Sequence, residues 1–172
     1  MKYALFSVII ASLFFSGCAL YVGQIPSNTG PADTSGNNTP ATTEVKPVKN
    51  SLNLSNQQLS KVPEYIFSRT NLEELNLSNN QLTGSIQAEI RFLQNLRILN
   101  ASNNLMTGVP AEVGQLKNLE ILDLSDNQLT GLPNELGNLK NLKTLDISGN
   151  NYSTHDLDII MKTLPADVQI IK

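Results

Sequence analysis

The sequence has no tryptophan, only 5% aromatic residues, one cysteine (Cys18) and one histidine (His155). A single cysteine excludes an intrachain disulfide, so the fold must hold by packing and hydrogen bonding. With so few Cys and His, a zinc site of those ligands has too few donors. Scarce aromatics argue against sugar stacking. Twelve basic against fifteen acidic side chains give a formal net charge of −3, a balance that argues against a nucleic-acid ligand. HExxH, an EF-hand loop, a phosphate-binding glycine loop and a serine nucleophile elbow are all missing. No enzyme activity, metal or cofactor is therefore expected. Asp123, Asp126 and Asp146 gather toward the C-terminal end. Ca²⁺ favours such oxygen ligands, but spaced aspartates fit a solvated face better. His155 reads as a helix-start residue.

What the chain does have is a repeat of 23 to 24 residues with the pattern LxxLxLxxNxL. It reads Leu72-Leu75-Leu77-Asn80-Leu82, then Leu96-Leu99-Ala101-Asn104-Met106. It continues as Leu119-Leu122-Leu124-Asn127-Leu129 and Leu142-Leu145-Ile147-Asn150-Tyr152. A degenerate first copy is Lys49-Leu52-Leu54-Gln57-Leu59. Five copies at one period predict a stacked solenoid. The pattern resembles the leucine-rich repeat family over about residues 48–172. The resemblance implies an α/β solenoid: a short parallel β-sheet on the concave face and 3₁₀ or short helical turns on the convex face. A C-terminal helix–strand cap is expected to close it.

Within LxxLxL, alternation turns Leu75 and Leu77, Leu99 and Ala101, Leu122 and Leu124, and Leu145 and Ile147 inward. Asn80, Asn104, Asn127 and Asn150 should form a structural ladder, because their amides both donate and accept. Gln57 predicts an imperfect first rung. Pro63, Pro110 and Pro133 fix the return turns, and Gly114 and Gly137 are expected to allow the bend back. Repeat two has one extra residue around Thr83-Gly84-Ser85-Ile86 and Gln87 in place of proline, predicting a convex bulge. At the end, Ser153 or Thr154 can cap a helix carrying Leu157, Ile160, Met161 and Leu164. Pro165 stops it, and Val168 to Ile170 predict an edge strand.

The N-terminus carries a second signal. Met1-Lys2 precedes a thirteen-residue apolar run, Tyr3 to Phe15, and then Phe15-Ser16-Gly17-Cys18. The run is short for a membrane span, which needs about 20 residues. It resembles a bacterial lipoprotein signal peptide (residues 1–17) with its lipobox, and implies acylation of Cys18. Cleavage would leave 155 residues (172 minus 17) with a net charge of −4, since Lys2 is lost. Acyl chains would anchor the protein in the bilayer, each methylene contributing about 0.8 kcal/mol. Ala19 in place of aspartate favours an outer-membrane or cell-surface destination where the source has two membranes. Residues 18–47 are rich in Pro, Thr, Asn, Ser and Gly, and should form a disordered tether. Such a tether has a typical reach of ~30 Å. The domain expected to fold is 48–172.

A partner would meet the outward strand positions. One column is Asn53, Asn76, Asn100, Asp123, Asp146; the next is Ser51, Glu74, Ile98, Ile121, Thr144. The Ser55-Ser78-Ser102-Ser125-Ser148 and Asn56-Asn79-Asn103-Asp126-Gly149 columns are also expected to face outward. Ile98 and Ile121 should be neighbours, about 4.8 Å apart, as an apolar anchor for a protein partner. The ligand-binding candidates are Glu74, Asn76, Ile98, Asn100, Ile121, Asp123, Thr144 and Asp146. The sequence thus predicts a membrane-anchored, extracytoplasmic, monomeric module that binds an unidentified protein. The alternative is an envelope scaffolding lipoprotein without a dedicated soluble ligand.

Overall fold

The computed structural model describes residues 50–172. The lipobox with Cys18, the tether and Lys49 lie outside the described residues. Each LxxLxL motif forms a three-residue strand: β1 (Ser51–Asn53), β2 (Glu74–Asn76), β4 (Ile98–Asn100), β6 (Ile121–Asp123) and β7 (Thr144–Asp146). With the final strand β8 (Gln169–Ile171) they make one parallel sheet in the order β1-β2-β4-β6-β7-β8. Parallel pairing follows because each rung returns by its own connection before the next strand. Register is in phase throughout, with Leu52, Leu75, Leu99, Leu122, Leu145 and Ile170 in one column. These side chains point into a continuous apolar core shared by all rungs. No rung could bury its leucines alone, which is why the repeats stack.

On the convex side the chain makes one 3₁₀ turn per repeat: Glu64–Ser68, Ala88–Phe92, Ala111–Gln115 and Asn134–Asn138. Pro63, Pro110 and Pro133 enter these turns with φ between −62° and −72°, the value proline's ring imposes. Gln87 enters with φ −66° and so needs no proline. The expectation for Gly114 and Gly137 is corrected. Neither is a bend with positive φ. A Cβ on Gly114 would drive into the Glu135 carbonyl, and one on Gly137 into the Thr163 hydroxyl. These glycines let neighbouring turns pack closely.

Repeat two also differs from expectation. Its extra residue does not simply bulge. Gly84 takes φ +67°, and Thr83–Gly84 becomes a short strand (β3) pairing in parallel with β5 (Leu105–Met106). The cap follows the spacing except at Met161, which is exposed: α1 (Thr154–Met161) buries Leu157 and Ile160, and Leu164 packs beyond its end. Ser153 is the N-cap by geometry but makes no side-chain cap bond. Asp156 fastens the helix to the fourth rung by accepting the Leu132 N–H at 3.2 Å.

Candidate functional site

The concave wall is built on two kinds of buried polar device. The first is the asparagine ladder. Asn104 Nδ2 donates to the carbonyls of Leu77, Ala101 and Ser102 at 3.0–3.1 Å, and its Oδ1 accepts the Leu82 N–H at 3.0 Å. Asn80, Asn127 and Asn150 repeat this arrangement. Each asparagine serves the rung before its own. Asn80 Oδ1 accepts the N–H of both Gln57 and Leu59. The first rung is therefore satisfied from behind, and an exposed Gln57 leaves no defect there.

The second device corrects the outward serine column. Ser78, Ser102 and Ser125 are only 7%, 5% and 8% exposed. Ser102 donates its N–H and hydroxyl to Asn100 Oδ1 at 2.9 and 2.7 Å. Ser125 does the same to Asp123, and Ser148 to Asp146. Asn76 Oδ1 accepts only the Ser78 N–H, at 2.9 Å. These hydrogen bonds turn the chain out of each strand. The next column does face outward, with all five residues exposed. Asn56, Asn79, Asn103 and Asp126 have φ of 51° to 59°, and Gly149 has φ 67°. Asn, Asp and Gly tolerate that left-handed conformation best, so the column is chosen by the turn.

The ligand-binding candidates keep their places on the sheet but differ in freedom. Glu74, Ile98, Ile121 and Thr144 stand side by side across β2, β4, β6 and β7. Ile98 is half-buried, while Ile121 is 37% exposed. Asn76, Asn100, Asp123 and Asp146 form the adjacent half-buried column, each with Oδ1 already committed to its own turn. A depression of about 280 Å³ opens between Asn53, Glu74, Asn76, Ile98 and Asn100. Among the described residues, no three or more His, Cys, Asp and Glu side chains are grouped to hold a metal ion.

Beside this sheet lies a feature that the leucine pattern does not announce. The residues just before the strands alternate in sign: Glu73, Arg97, Glu120, Lys143. Arg97 Nε donates to Glu120 Oε1 at 2.7 Å, Lys143 Nζ meets Glu120 Oε2 at 2.6 Å, and Arg97 lies 3.8 Å from Glu73. The hydrogen bond from Arg97, then that from Lys143, holds the Glu120 carboxyl down at about 2. Next to it runs a second amide ladder. Asn95, Asn118 and Asn141 donate to the carbonyls of Thr70, Gln94 and Lys117 at 2.8–2.9 Å. Together they line a polar groove of about 710 Å³. The signal was in the sequence: sign alternation and asparagine recur at the repeat period.

An arc of in-phase parallel strands, closed by asparagine ladders and backed by 3₁₀ turns, defines a leucine-rich solenoid. Residues 50–106 and 94–151 match the family model for leucine rich repeats, and residues 141–162 match a second model of that kind. The chain belongs to the leucine-rich repeat family. No curated protein matches it. A leucine-rich-repeat protein of Leptospira interrogans is 40% identical with a TM-score of 0.62, over 67% of this chain and 29% of that one. The ectodomain of the receptor kinase SOBIR1 from Arabidopsis thaliana is 30% identical with a TM-score of 0.58, over 70% of this chain and 65% of that one. A chain of the BIR3–SERK2 complex, also from Arabidopsis thaliana, is 37% identical with a TM-score of 0.55. It is matched over 59% of this chain and 56% of that one. This chain therefore spans less than a third of the Leptospira protein it resembles.

Proposed function

We propose that the chain is a protein-binding leucine-rich repeat module, held outside the cytoplasm by acylated Cys18, that engages its partner through the concave face. The carrying observation is the Ile98–Ile121 pair, adjacent in register on an otherwise polar sheet. An apolar anchor ringed by hydrogen-bonding groups is the usual anatomy of a binding hot spot. Asp123 and Asp146 keep one carboxylate oxygen outside their turn bonds, so polar contacts can surround the anchor. The BIR3–SERK2 relative is a complex by its own description, and that supports a protein as the partner class. The lipobox sequence supports the anchor, with residues 18–47 as the spacer.

A photo-crosslinking residue at position 121 in source cells tests the site. One dominant protein adduct is expected, lost when Ile98→Asp is added to a variant that still folds. Equal labelling from position 121 and from a convex position would sink the concave assignment. Cys18→Ser should release the protein from the membrane fraction. Retention of that variant would refute the anchor. Protease shaving of intact and lysed cells then tells which side the domain faces.

A further inference from the structure

The two most exposed large apolar side chains among the described residues are Tyr65 and Phe92, at 54% and 48%. Both stand on the convex turns of the first two rungs. The repeat does not call for either. In the place of Tyr65 the other turns carry Glu89, Glu112 and Glu135, and in the place of Phe92 they carry Ser68, Gln115 and Asn138. The core behind them is filled by Ile66, Phe67 and Ile90. Tyr65 and Ser68 lie three residues apart in a 3₁₀ turn and so point the same way. Ser68 and Phe92 line one cleft of about 450 Å³ between the two turns, together with Phe67 and Gln87. The two rings therefore belong to one face. Each carries a guanidinium: Arg69 stands 5.8 Å from the centre of the Tyr65 ring, and Arg91 4.6 Å from that of Phe92. Lys61 adds a third cation against Glu64 and Glu89, an excess of one positive charge (three minus two). The chain as a whole has a formal net charge of −3.

We propose that this face rests on a lipid bilayer, with Tyr65 and Phe92 at the boundary between headgroups and acyl chains and the three cations at the lipid phosphates. The docking rests on the acylation of Cys18 proposed above. Aromatic rings and basic side chains suit that boundary, because rings enter the acyl layer and cations attract the phosphates. A guanidinium over a ring reaches the phosphate layer while the ring goes deeper. The place of the face in the chain selects the bilayer over a protein. Cys18 lies 32 residues (50 minus 18) before Asn50, where the described domain begins at the first rung. A tether of that length has a typical reach of ~30 Å. The rungs it leads into carry the exposed rings, and the turns of the third and fourth rungs carry no aromatic residue. A face tethered so closely meets the bilayer at an effective concentration of about millimolar. Two half-exposed rings and a small charge excess then suffice. The concave sheet, on the other wall, stays free for its partner.

The chain has no tryptophan, so a single introduced one reports alone. Phe92→Trp, Gln115→Trp and Asn138→Trp are made in the full chain and produced in bacteria that process lipoproteins. Each is reconstituted in vesicles of equal parts phosphatidylcholine and phosphatidylglycerol, whose brominated acyl chains quench an indole at the membrane boundary. Flotation of the vesicles gives the anchored fraction. Expected is a blue shift and strong quenching for Phe92→Trp, and neither for Gln115→Trp or Asn138→Trp, which stand in the same place on later turns. Adding Arg69→Gln and Arg91→Gln to Phe92→Trp should roughly halve the quenching and leave the floated fraction unchanged. Anchored protein in which Phe92→Trp stays unquenched refutes the docking alone and leaves the anchor standing. Equal quenching from all three positions also overturns it, since no one face would then meet the bilayer. A chain that does not float refutes the acylation of Cys18 and the docking with it.

Discussion

From the second rung on, the concave side uses the same few residue types for the same task, whereas the backs of the rungs divide into two unlike halves. Along the concave wall an asparagine closes each turn and a polar side chain caps each strand. On the convex wall, Gly114 and Gly137 stand where the first two turns carry Phe67 and Arg91. The glycine half packs so closely that a single Cβ would collide with its neighbour. The half with the bulky residues is held apart and leaves a cleft. The difference separates two jobs. Repetition satisfies the backbone and dictates the arc. Departures from repetition, on either wall, are where a surface acquires something particular to this chain.

Breaking either wall should cost measurable stability. Asn104→Leu would leave the buried Leu82 N–H without its partner, at about 1–3 kcal/mol, while the Leu77 and Ala101 carbonyls would keep the amides of Asn80 and Asn127. Urea unfolding should show a loss for Asn104→Leu similar to that for Gly114→Ala and smaller than that for Phe67→Ala. Gln57→Asn should by contrast change almost nothing, since the first rung already bonds to Asn80. A large gain from Gln57→Asn would refute the idea that each asparagine serves the preceding rung. On the convex side, Phe67→Ala empties a buried wedge and should destabilise by about 3–5 kcal/mol. Gly114→Ala makes the opposite error, overpacking against Glu135, at about 1–3 kcal/mol. If Gly114→Ala proved neutral in thermal melts, the contrast between the two halves would lose its steric basis.

The sequence carried the architecture because the repeat is its own alignment. Comparing Leu75 with Leu99, Leu122 and Leu145 showed which positions face inward without any structure. The same comparison misplaced the serine column. Ser78, Ser102 and Ser125 are polar and periodic, and polarity reads as exposure until the Asn or Asp two residues earlier is seen to accept their N–H groups. Gly114 and Gly137 were misread for a related reason. Glycine is used both for positive φ and for close approach, and only coordinates distinguish the two. The adjacency of Ile98 and Ile121 was legible because the two break a polar column. The convex cleft was not. Its members come from two repeats at unlike positions, and Gln87 looked like a lost proline, with nothing to show that its amide would be half satisfied.

The smallest expected effect sharpens the comparison on the flank of the sheet, where the repeat is kept but the charge sign alternates. Glu120 sits between Arg97 and Lys143. Its carboxyl is lowered from 4.5 to about 2. A group whose folded value is depressed stabilises the fold above its unfolded value and loses that contribution as pH falls toward the folded one. Wild type should therefore exceed Glu120→Gln in melting temperature at neutral pH. The gap should narrow between pH 4.5 and about 2 and close below it. Because the ladder is partly exposed, the gap should also shrink as salt is added. A pH-independent difference would mean that Glu120 acts through shape alone. The alternating ladder would then be a consequence of composition rather than a tie between rungs.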